Sequence, residues 1–159
     1  MNPDMKKDIK SLSPRLALLP LATILGSWLG AVVAYLIMNI DLTSVLQHRS
    51  LSDCLALNSG FAYYSLSSIF ITEYRGAELG TIALLANIIR EMTTLLLTPL
   101  LAKWFGPLAP ISTGGATTMD TTLPIITQTI GQRYVALSIY HGFVTDFSVP
   151  FLVTMWCML

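Results

Sequence analysis

One carboxylate stands in the stretch STGGATTMDTTLP, at positions 112–124 of a strongly apolar part of the chain. Between residues 104 and 132, Asp120 is the only charged side chain, and six Ser and Thr residues lie around it. A carboxylate among hydroxyls can bind a cation or a proton, whereas in hydrocarbon it costs about 2.5–3.5 kcal/mol on the insertion scale. Such residues usually line a substrate or ion pathway. Asp120 is therefore the first candidate for a binding site.

Asp120 and Asp146 are each followed four residues later by proline, in DTTLP and DFSVP. Proline lacks the N–H that would bond the carbonyl four residues back, and its ring clashes with that carbonyl. Both segments are therefore predicted to contain a helix break beside the carboxylate. Alternatively, Asp120 is the N-cap of a half-helix that begins at Thr121, with proline in its first turn. Transporters build ion and substrate sites from such discontinuous helices.

The residues around Asp120 suit this interpretation. Gly114 and Gly115 loosen the chain before the carboxylate. Thr117 and Thr121, with their neighbouring threonines, could coordinate a cation or satisfy freed backbone groups. An ordinary capping loop that dips into the membrane interface is the alternative.

A second polar group lies in LLANIIREMTTLLLTP. Asn87, Arg90, Glu91, Thr94 and Thr98 have the spacings of three and four that bring side chains to one helix face. Arg90 serves equally well as a structural clamp or as a substrate contact.

Two polar residues in the last apolar run are lower-ranked proton-path candidates. Asp146 could move protons or pair with Arg90 or Arg133, and His141 could relay protons or be a hydrogen-bonded packing residue.

The composition indicates which elements must position these residues. Of 159 residues, 53% are hydrophobic and 11% charged, whereas soluble domains carry about 25% charged residues. The chain is therefore predicted to be an all-α polytopic integral membrane protein with about five transmembrane segments, including broken or re-entrant helices. Four crossings and a re-entrant hairpin fit equally well, and no internal repeat is evident. The segments are residues 16–40, 54–72, 79–102, 104–132 and 134–159.

Basic residues predict the orientation. Residues 1–14 form a predicted cytoplasmic N-terminal tail, and residues 15–159 a membrane domain. Four basic residues precede the first apolar run, against Arg49 alone after it, which favours a cytoplasmic N-terminus and, after five crossings, an external C-terminus. This count leaves Arg75 inside and Lys103 outside.

Several functions lack their sequence signals. The net charge is zero without a basic tract, so no nucleic-acid partner is expected. The chain contains neither HExxH nor GxSxG, and neither Asp120 nor Asp146 has a protease-like context. Cys54 and Cys157 have no metal-ligand spacing and are predicted to be structural thiols. We therefore expect no enzyme activity, cofactor or metal.

Four blocks of the sequence resemble the prokaryotic lysine exporter family LysO. They are NSGFAYYSLSS at 58–68, GAELGTIALLANIIREM at 76–92, LAPISTGGATTMDTTLPIIT at 108–127 and HGFVTDFSVPFLVT at 141–154. The resemblance implies an inner-membrane exporter of L-lysine and its analogue thialysine, in exchange for protons. It also implies two intramembrane aspartates, of which the one within TTMD matches Asp120.

The resemblance is to the C-terminal portion of the family protein only, so the second aspartate has no counterpart in this chain. We expect a separately encoded N-terminal-half subunit of about three spans, since three spans that begin outside end inside, in agreement with the cytoplasmic N-terminus. Asp120 would bind the substrate ammonium when ionised and a proton when neutral. Backbone N–H groups near residues 114–121 could receive the substrate carboxylate, and Asn87, Arg90 and Glu91 would shape the opposite wall. A channel-like subunit, a non-transporting structural or regulatory subunit, and a truncated inactive exporter are the alternatives.

Overall fold

The computed structural model describes residues 16–41 and 50–159, and only the backbone of residues 38–41. The predicted tail at residues 1–14 and Arg49 lie outside the described residues. Within those residues the chain is helical without strands, which confirms the all-α prediction. The α-helices are α1 (Leu19–Asp41), α2 (Leu51–Asn58), α3 (Tyr64–Arg75), α4 (Ala77–Phe105), α5 (Ala109–Gly114), α6 (Leu123–Ile130) and α7 (Val135–Met158). Short 3₁₀ turns occupy Leu16–Leu18, Gly115–Met119 and Gln132–Tyr134.

Three helical stretches in the described part of the chain are long and apolar enough to cross a membrane. They are Leu16–Ile37, Ala77–Phe105 and Gln132–Met158, and they correspond to the first, third and fifth predicted segments. The second and fourth predicted segments are each divided into two short helices. The prediction of broken or re-entrant helices among five segments is therefore confirmed.

Helices α2 and α3 form hairpin 1 (residues 51–75), which enters the bundle and returns to the same end. Arg75 Nη1 lies 3.6 Å from Asp53 Oδ1, so the end of α3 is close to the start of α2. Arg75 Nε also donates to the carbonyl of Cys157 at the end of α7 (3.1 Å). The tip lies deep in the bundle, because the backbone N–H of Ala62 donates to Asn87 Oδ1 of α4 (2.8 Å). We call the end at Asp53, Arg75 and Cys157 the far end.

Helices α5 and α6 form hairpin 2 (residues 109–130), which enters from the opposite end. Ile111 of α5 and Ile126 of α6 are fully buried in one apolar cluster with Leu137 of α7. The residues on either side of the hairpin, Leu108 and Tyr134, pack on the same cluster. Leu16 and Leu19 at the start of α1 also join it. This is the near end of the bundle.

These contacts give the two hairpins opposite directions. The long helices α1 and α7 run from the near end to the far end, and α4 runs back. Each hairpin is followed in sequence by a long helix, α4 or α7, so the order hairpin–helix occurs twice in inverted orientation. Gly60 and Ala62 in the first tip have the same separation along the chain as Gly114 and Ala116 in the second. Transporter folds with inverted repeats bind substrate near the membrane midplane, where the repeats meet.

The side chains are distributed as expected for a bundle in lipid. Large apolar residues point outward, among them Leu25 and Leu29 of α1 (62% and 67% exposed) and Phe147 of α7 (65%). Polar side chains are fully buried between the helices, namely Ser59, Ser67, Thr94, Thr98, Thr118, Thr122, Ser138, His141 and Thr145. Six of these eight hydroxyls donate to backbone carbonyls, as Ser59 Oγ does to Leu55 O (2.8 Å), and these bonds replace the water that the bilayer lacks.

Only one of the two predicted proline breaks is present. Helix α7 continues through Pro150, so the predicted break beside Asp146 is wrong. Proline removes a single backbone hydrogen bond, and Ser and Thr hydroxyls can satisfy carbonyls in such helices.

Candidate functional site

The tip of hairpin 1 has an unusual backbone conformation. Phe61 (φ 43°) and Ala62 (φ 69°) are both in the left-handed region, although neither is glycine. Such residues cost on the order of 1–3 kcal/mol each and cluster at functional sites. Asn87 offsets part of this cost, because its Oδ1 accepts from Ala62 N and its Nδ2 donates to Ser67 Oγ (3.2 Å). Asn87 therefore fixes the tip rather than offering its amide to a ligand.

The tip of hairpin 2 touches the tip of hairpin 1. The backbone N–H of Ala116 donates to the carbonyl of Phe61 (2.9 Å). Gly115 has φ +59°, and a Cβ at this position would collide with the Phe61 carbonyl oxygen. A Cβ at Gly114 would lie 2.6 Å from Thr118 Cγ2. The absence of a side chain at Gly115 thus allows the close approach of the tips, whereas Gly114 leaves room for Thr118 within hairpin 2.

The chain is broken at Asp120, as predicted. The 3₁₀ turn Gly115–Met119 ends there, and α6 begins at Leu123 with Pro124 in its first turn. The residue that caps α6 is Thr122, so the N-cap interpretation of Asp120 is wrong. The Asp120 carboxylate instead accepts from the backbone N–H of Thr121 (2.6 Å) and remains exposed.

A cavity of about 130 Å³ lies where the tips meet, and three carboxylates line it. They are Glu91 of α4, Asp120 of the broken segment and Asp146 of α7. None of the described residues that line the cavity is basic. The remaining polar groups in the lining are Tyr63, Tyr64, Ser65, Thr117 and Thr121. The arrangement can bind a cation, because negative side chains and hydroxyl oxygens converge on one space.

Thr121 connects two of the three carboxylates. Its hydroxyl donates to Glu91 Oε1 (2.6 Å) and lies 3.4 Å from Asp120 Oδ1. One hydroxyl hydrogen serves only one acceptor at a time, so the other carboxylate oxygens remain available to a ligand.

Backbone amides near the break already have acceptors in the chain. Ala116 N donates to Phe61 O, and Asp120 N and Thr122 N both donate to Thr117 O (3.1 Å each). With Thr121 N bonded to Asp120, none of these four N–H groups is available for the substrate carboxylate that the sequence analysis assigned to this region. The Thr117 hydroxyl likewise donates to Gly114 O (2.8 Å).

Arg90 does not line the carboxylate cavity. Its Nε donates to Thr113 O (2.9 Å), its Nη2 to Ser112 O (3.3 Å) and its Nη1 to Ser27 Oγ (3.4 Å). The guanidinium carbon also lies 5.4 Å from the centre of the Phe61 ring. Arg90 and Glu91 therefore point to opposite sides of the hairpin tips.

The suggested pairing of Asp146 with Arg90 or Arg133 does not occur among the described residues. Arg133 stacks on the ring of Tyr134, with its guanidinium carbon 4.8 Å from the ring centre. Asp146 therefore remains available to the cavity that it lines.

His141 is fully buried and lies beside hairpin 2 rather than in the cavity. Its Nε2 is 2.9 Å from Thr23 Oγ1 of α1, and its Nδ1 is 3.3 Å from Thr118 Oγ1. The ring therefore links α1 to the turn that carries Asp120.

Residues 63–65 were missed as candidates by the sequence analysis, although they line the cavity. Their available signal was the pair of tyrosines that follows Ser-Gly in NSGFAYYS, since tyrosine combines an apolar ring with a hydroxyl.

Comparisons with known proteins identify the family of this chain. The family model described as lysine exporter LysO matches residues 1–157. The lysine exporter LysO of Escherichia coli (strain K12) is 31% identical over 142 residues, which cover 89% of this chain and 44% of that protein. A candidate lysine exporter of Haemophilus influenzae is 34% identical over 129 residues, covering 81% of this chain and 61% of that protein. The chain thus spans about half the length of the curated relatives it matches.

No solved structure matches the chain. The matched family is described as one of transporters rather than of enzymes, in agreement with the expectation from the sequence. Since the family model covers nearly the whole chain, this integral membrane protein belongs to the lysine exporter LysO family.

Proposed function

We propose that this chain forms part of the substrate site of an inner-membrane exporter of L-lysine. The observation that carries the proposal is the cavity lined by Glu91, Asp120 and Asp146, with no basic residue among the described residues around it. Lysine is cationic at neutral pH, and carboxylates in a confined space attract a cation much more strongly than in bulk water. The names of the matched relatives support lysine as the substrate.

Asp120 exchanges the substrate for a proton in this proposal. The ionised carboxylate binds the lysine ammonium from the cytoplasm, and after release of lysine outside it takes up a proton. The export of lysine is thereby coupled to the return of a proton to the cytoplasm. Thr121 keeps Asp120 and Glu91 together through its hydroxyl and amide. Thialysine carries the same ionisable groups and enters the same site.

The other predicted site residues support the cavity from outside. Asn87 holds the tip of hairpin 1, Gly115 allows the second tip to approach it, and Gly114 leaves room for Thr118 within the second hairpin. His141 positions the broken segment through Thr118, and its role in a proton path remains a lower-ranked proposal.

Asp120 and Thr121 are exposed in this chain, so the cavity is open on one side. We propose that an N-terminal-half subunit covers this opening and contributes further substrate contacts. Membrane lipid surrounds the apolar outer faces of α1 and α7.

The hairpins also strengthen the proposed orientation. Because each hairpin returns to the end from which it entered, Lys103 lies at the near end and Arg75 at the far end. Among the described residues, Lys103 and Arg133 lie at the near end and Arg75 at the far end, and basic residues favour the cytoplasmic side. In the sequence, four further basic residues precede α1, namely Lys6, Lys7, Lys10 and Arg15, whereas Arg49 alone lies between α1 and α2. The N-terminus is therefore cytoplasmic and the C-terminus external, while Arg75 and Lys103 change sides relative to the five-crossing count.

Lysine efflux tests the proposal in lysine-loaded cells that carry this chain with the N-terminal-half subunit. We expect Asp120→Asn to reduce efflux at least tenfold, because the amide can neither balance the ammonium charge nor exchange a proton. Glu73→Gln is the matched control, since Glu73 is an exposed carboxylate outside the cavity. Wild-type efflux by Asp120→Asn would refute the site, and downhill flux insensitive to a protonophore would indicate a channel.

A further inference from the structure

We propose that Arg90 binds the carboxylate of the amino-acid substrate in a second cavity, across the hairpin tips from the three carboxylates. This inference rests on the proposed function, because it takes an amino acid as the substrate. The second cavity has a volume of about 350 Å³ and lies between α1, α4 and α5. Its polar lining consists of Thr23, Ser27, Arg90, Ser112 and Thr113.

The charge of Arg90 has no full counterpart among the described residues. Its three hydrogen-bond acceptors are two carbonyl oxygens and the Ser27 hydroxyl, all of them neutral. The carbonyls of Ser112 and Thr113 lie in the last turn of α5, where the helix dipole supplies only about half an elementary charge. Charged side chains within membrane spans are usually paired, so an anion is the expected ligand.

The chemistry of the cavity favours a carboxylate. A guanidinium has five N–H donors in a planar arrangement that matches two carboxylate oxygens, and three of the five are accounted for by the neutral acceptors. The Ser27 hydroxyl lies beside the guanidinium and can donate to the same anion. The Arg90 guanidinium and the Ser27 hydroxyl therefore form an anion site that is built from α1 and α4 together.

The two cavities together match the polarity of an amino acid with a cationic side chain. Arg90 and Glu91 are consecutive in α4, yet they face different cavities. Phe61 separates them, because its ring lies against Arg90 and its carbonyl contacts Ala116. Separation of the tips would join the cavities, so that the carboxylate moves to Arg90 and the ammonium groups stay with the acidic side chains.

Competition for lysine transport tests this assignment in inside-out membrane vesicles that contain the complete exporter. Two analogues of similar length are added at the cytoplasmic face. The first, 6-aminohexanoate, keeps the carboxylate and the terminal ammonium, whereas cadaverine has two ammonium groups and no carboxylate. We expect 6-aminohexanoate to compete about tenfold more strongly than cadaverine in the wild type, as for a charge-assisted bidentate contact.

Two variants identify the residue responsible for this preference. Arg90→Gln should abolish the preference, because it should weaken competition by 6-aminohexanoate and leave competition by cadaverine unchanged. Ser27→Asp should also abolish the preference although Arg90 is intact, because the new carboxylate would form an ion pair with the guanidinium and compete with the substrate carboxylate. Thr81→Asp is the control for an added acidic group, since Thr81 is exposed and lines neither cavity.

Equal competition by the two analogues in the wild type would overturn the assignment. A preference retained in Ser27→Asp would also overturn it, even if Arg90→Gln failed to fold. Absence of lysine uptake by the wild type would instead overturn the proposed function itself.

Discussion

The backbone N–H of Ala116 donates a 2.9 Å hydrogen bond to the carbonyl oxygen of Phe61, and this bond joins two hairpins that enter the bundle from opposite ends. Each tip is also held by its own long helix. Asn87 of α4 binds the first tip, and the Ser138 carbonyl of α7 accepts from the Thr118 hydroxyl of the second (2.9 Å). A movement of either hairpin with its helix must therefore break the contact between the tips, beside the carboxylate cavity.

We expect Gly115→Ala to destabilise the protein. The positive φ alone costs a non-glycine residue about 1–3 kcal/mol, and the collision of the new Cβ with the Phe61 carbonyl adds to this cost. The measurement is the midpoint of thermal unfolding of the purified protein in detergent. Gly30→Ala in α1 is the control, since a Cβ there meets no atom within 4 Å. Equal midpoints for the two variants would show that the close approach of the tips is not required.

Asn87→Ala should lower the free energy of unfolding by roughly 1–3 kcal/mol, because the buried N–H of Ala62 loses its acceptor. Asn87→Asp should not restore the stability, since it keeps an oxygen for that N–H but places a buried carboxylate oxygen where the amide donates to the Ala83 carbonyl. Asn58→Ala is the matched control, as the Asn58 amide donates only to the Cys54 carbonyl within its own helix. Thermal unfolding in detergent again provides the measurement, and a larger loss for Asn58→Ala would contradict the role given to Asn87.

The sequence predicted the class of the fold because its strongest signals are local. Low charge density and long apolar runs identify membrane-length helices, and proline near Asp120 identified a real break. The same proline rule failed at Pro150, where α7 continues because one missing N–H is easily accommodated in a packed helix. The position of a proline predicts which backbone hydrogen bond is lost, but whether the helix continues or ends there depends on its packing against the surrounding helices.

The meeting of the hairpins could not be read from the sequence, because it depends on contacts between distant segments. The inverted order of hairpin and helix leaves only short matches at the tips, such as Gly60 with Gly114, so no repeat was evident. Asp120 and Glu91 were both identified, yet their common cavity depends on where α4 passes the second tip. Arg90 and Glu91 diverge because consecutive residues of a helix are about 100 degrees apart, but the cavity that each one faces depends on how the hairpin tips pack around α4.

Glu91→Gln and Asp146→Asn should each raise the lysine concentration for half-maximal transport by on the order of tenfold. Each variant removes one negative charge from the cavity, and a loss of about 1.4 kcal/mol in binding free energy corresponds to a factor of ten. The Gln side chain keeps an oxygen for the Thr121 hydroxyl, so the local structure is retained. Transport kinetics in vesicles with the complete exporter provide the measurement. An unchanged concentration dependence, equal to that of the Glu73→Gln control, would exclude the residue from the substrate site.

Single cysteines should report the two ends of the bundle in a background with Cys54→Ser and Cys157→Ser, which removes both cysteines of the chain. We expect a membrane-impermeant maleimide to label Glu73→Cys in intact cells, because Glu73 is exposed next to Arg75 at the far end. Lys103→Cys and Arg133→Cys, exposed at the near end, should react only after the membrane is opened. If the chain crossed the membrane five times, the maleimide would label position 103 in intact cells and would label position 73 only after the membrane is opened. The labelling pattern of these two positions therefore decides between two returning hairpins and two broken but complete crossings.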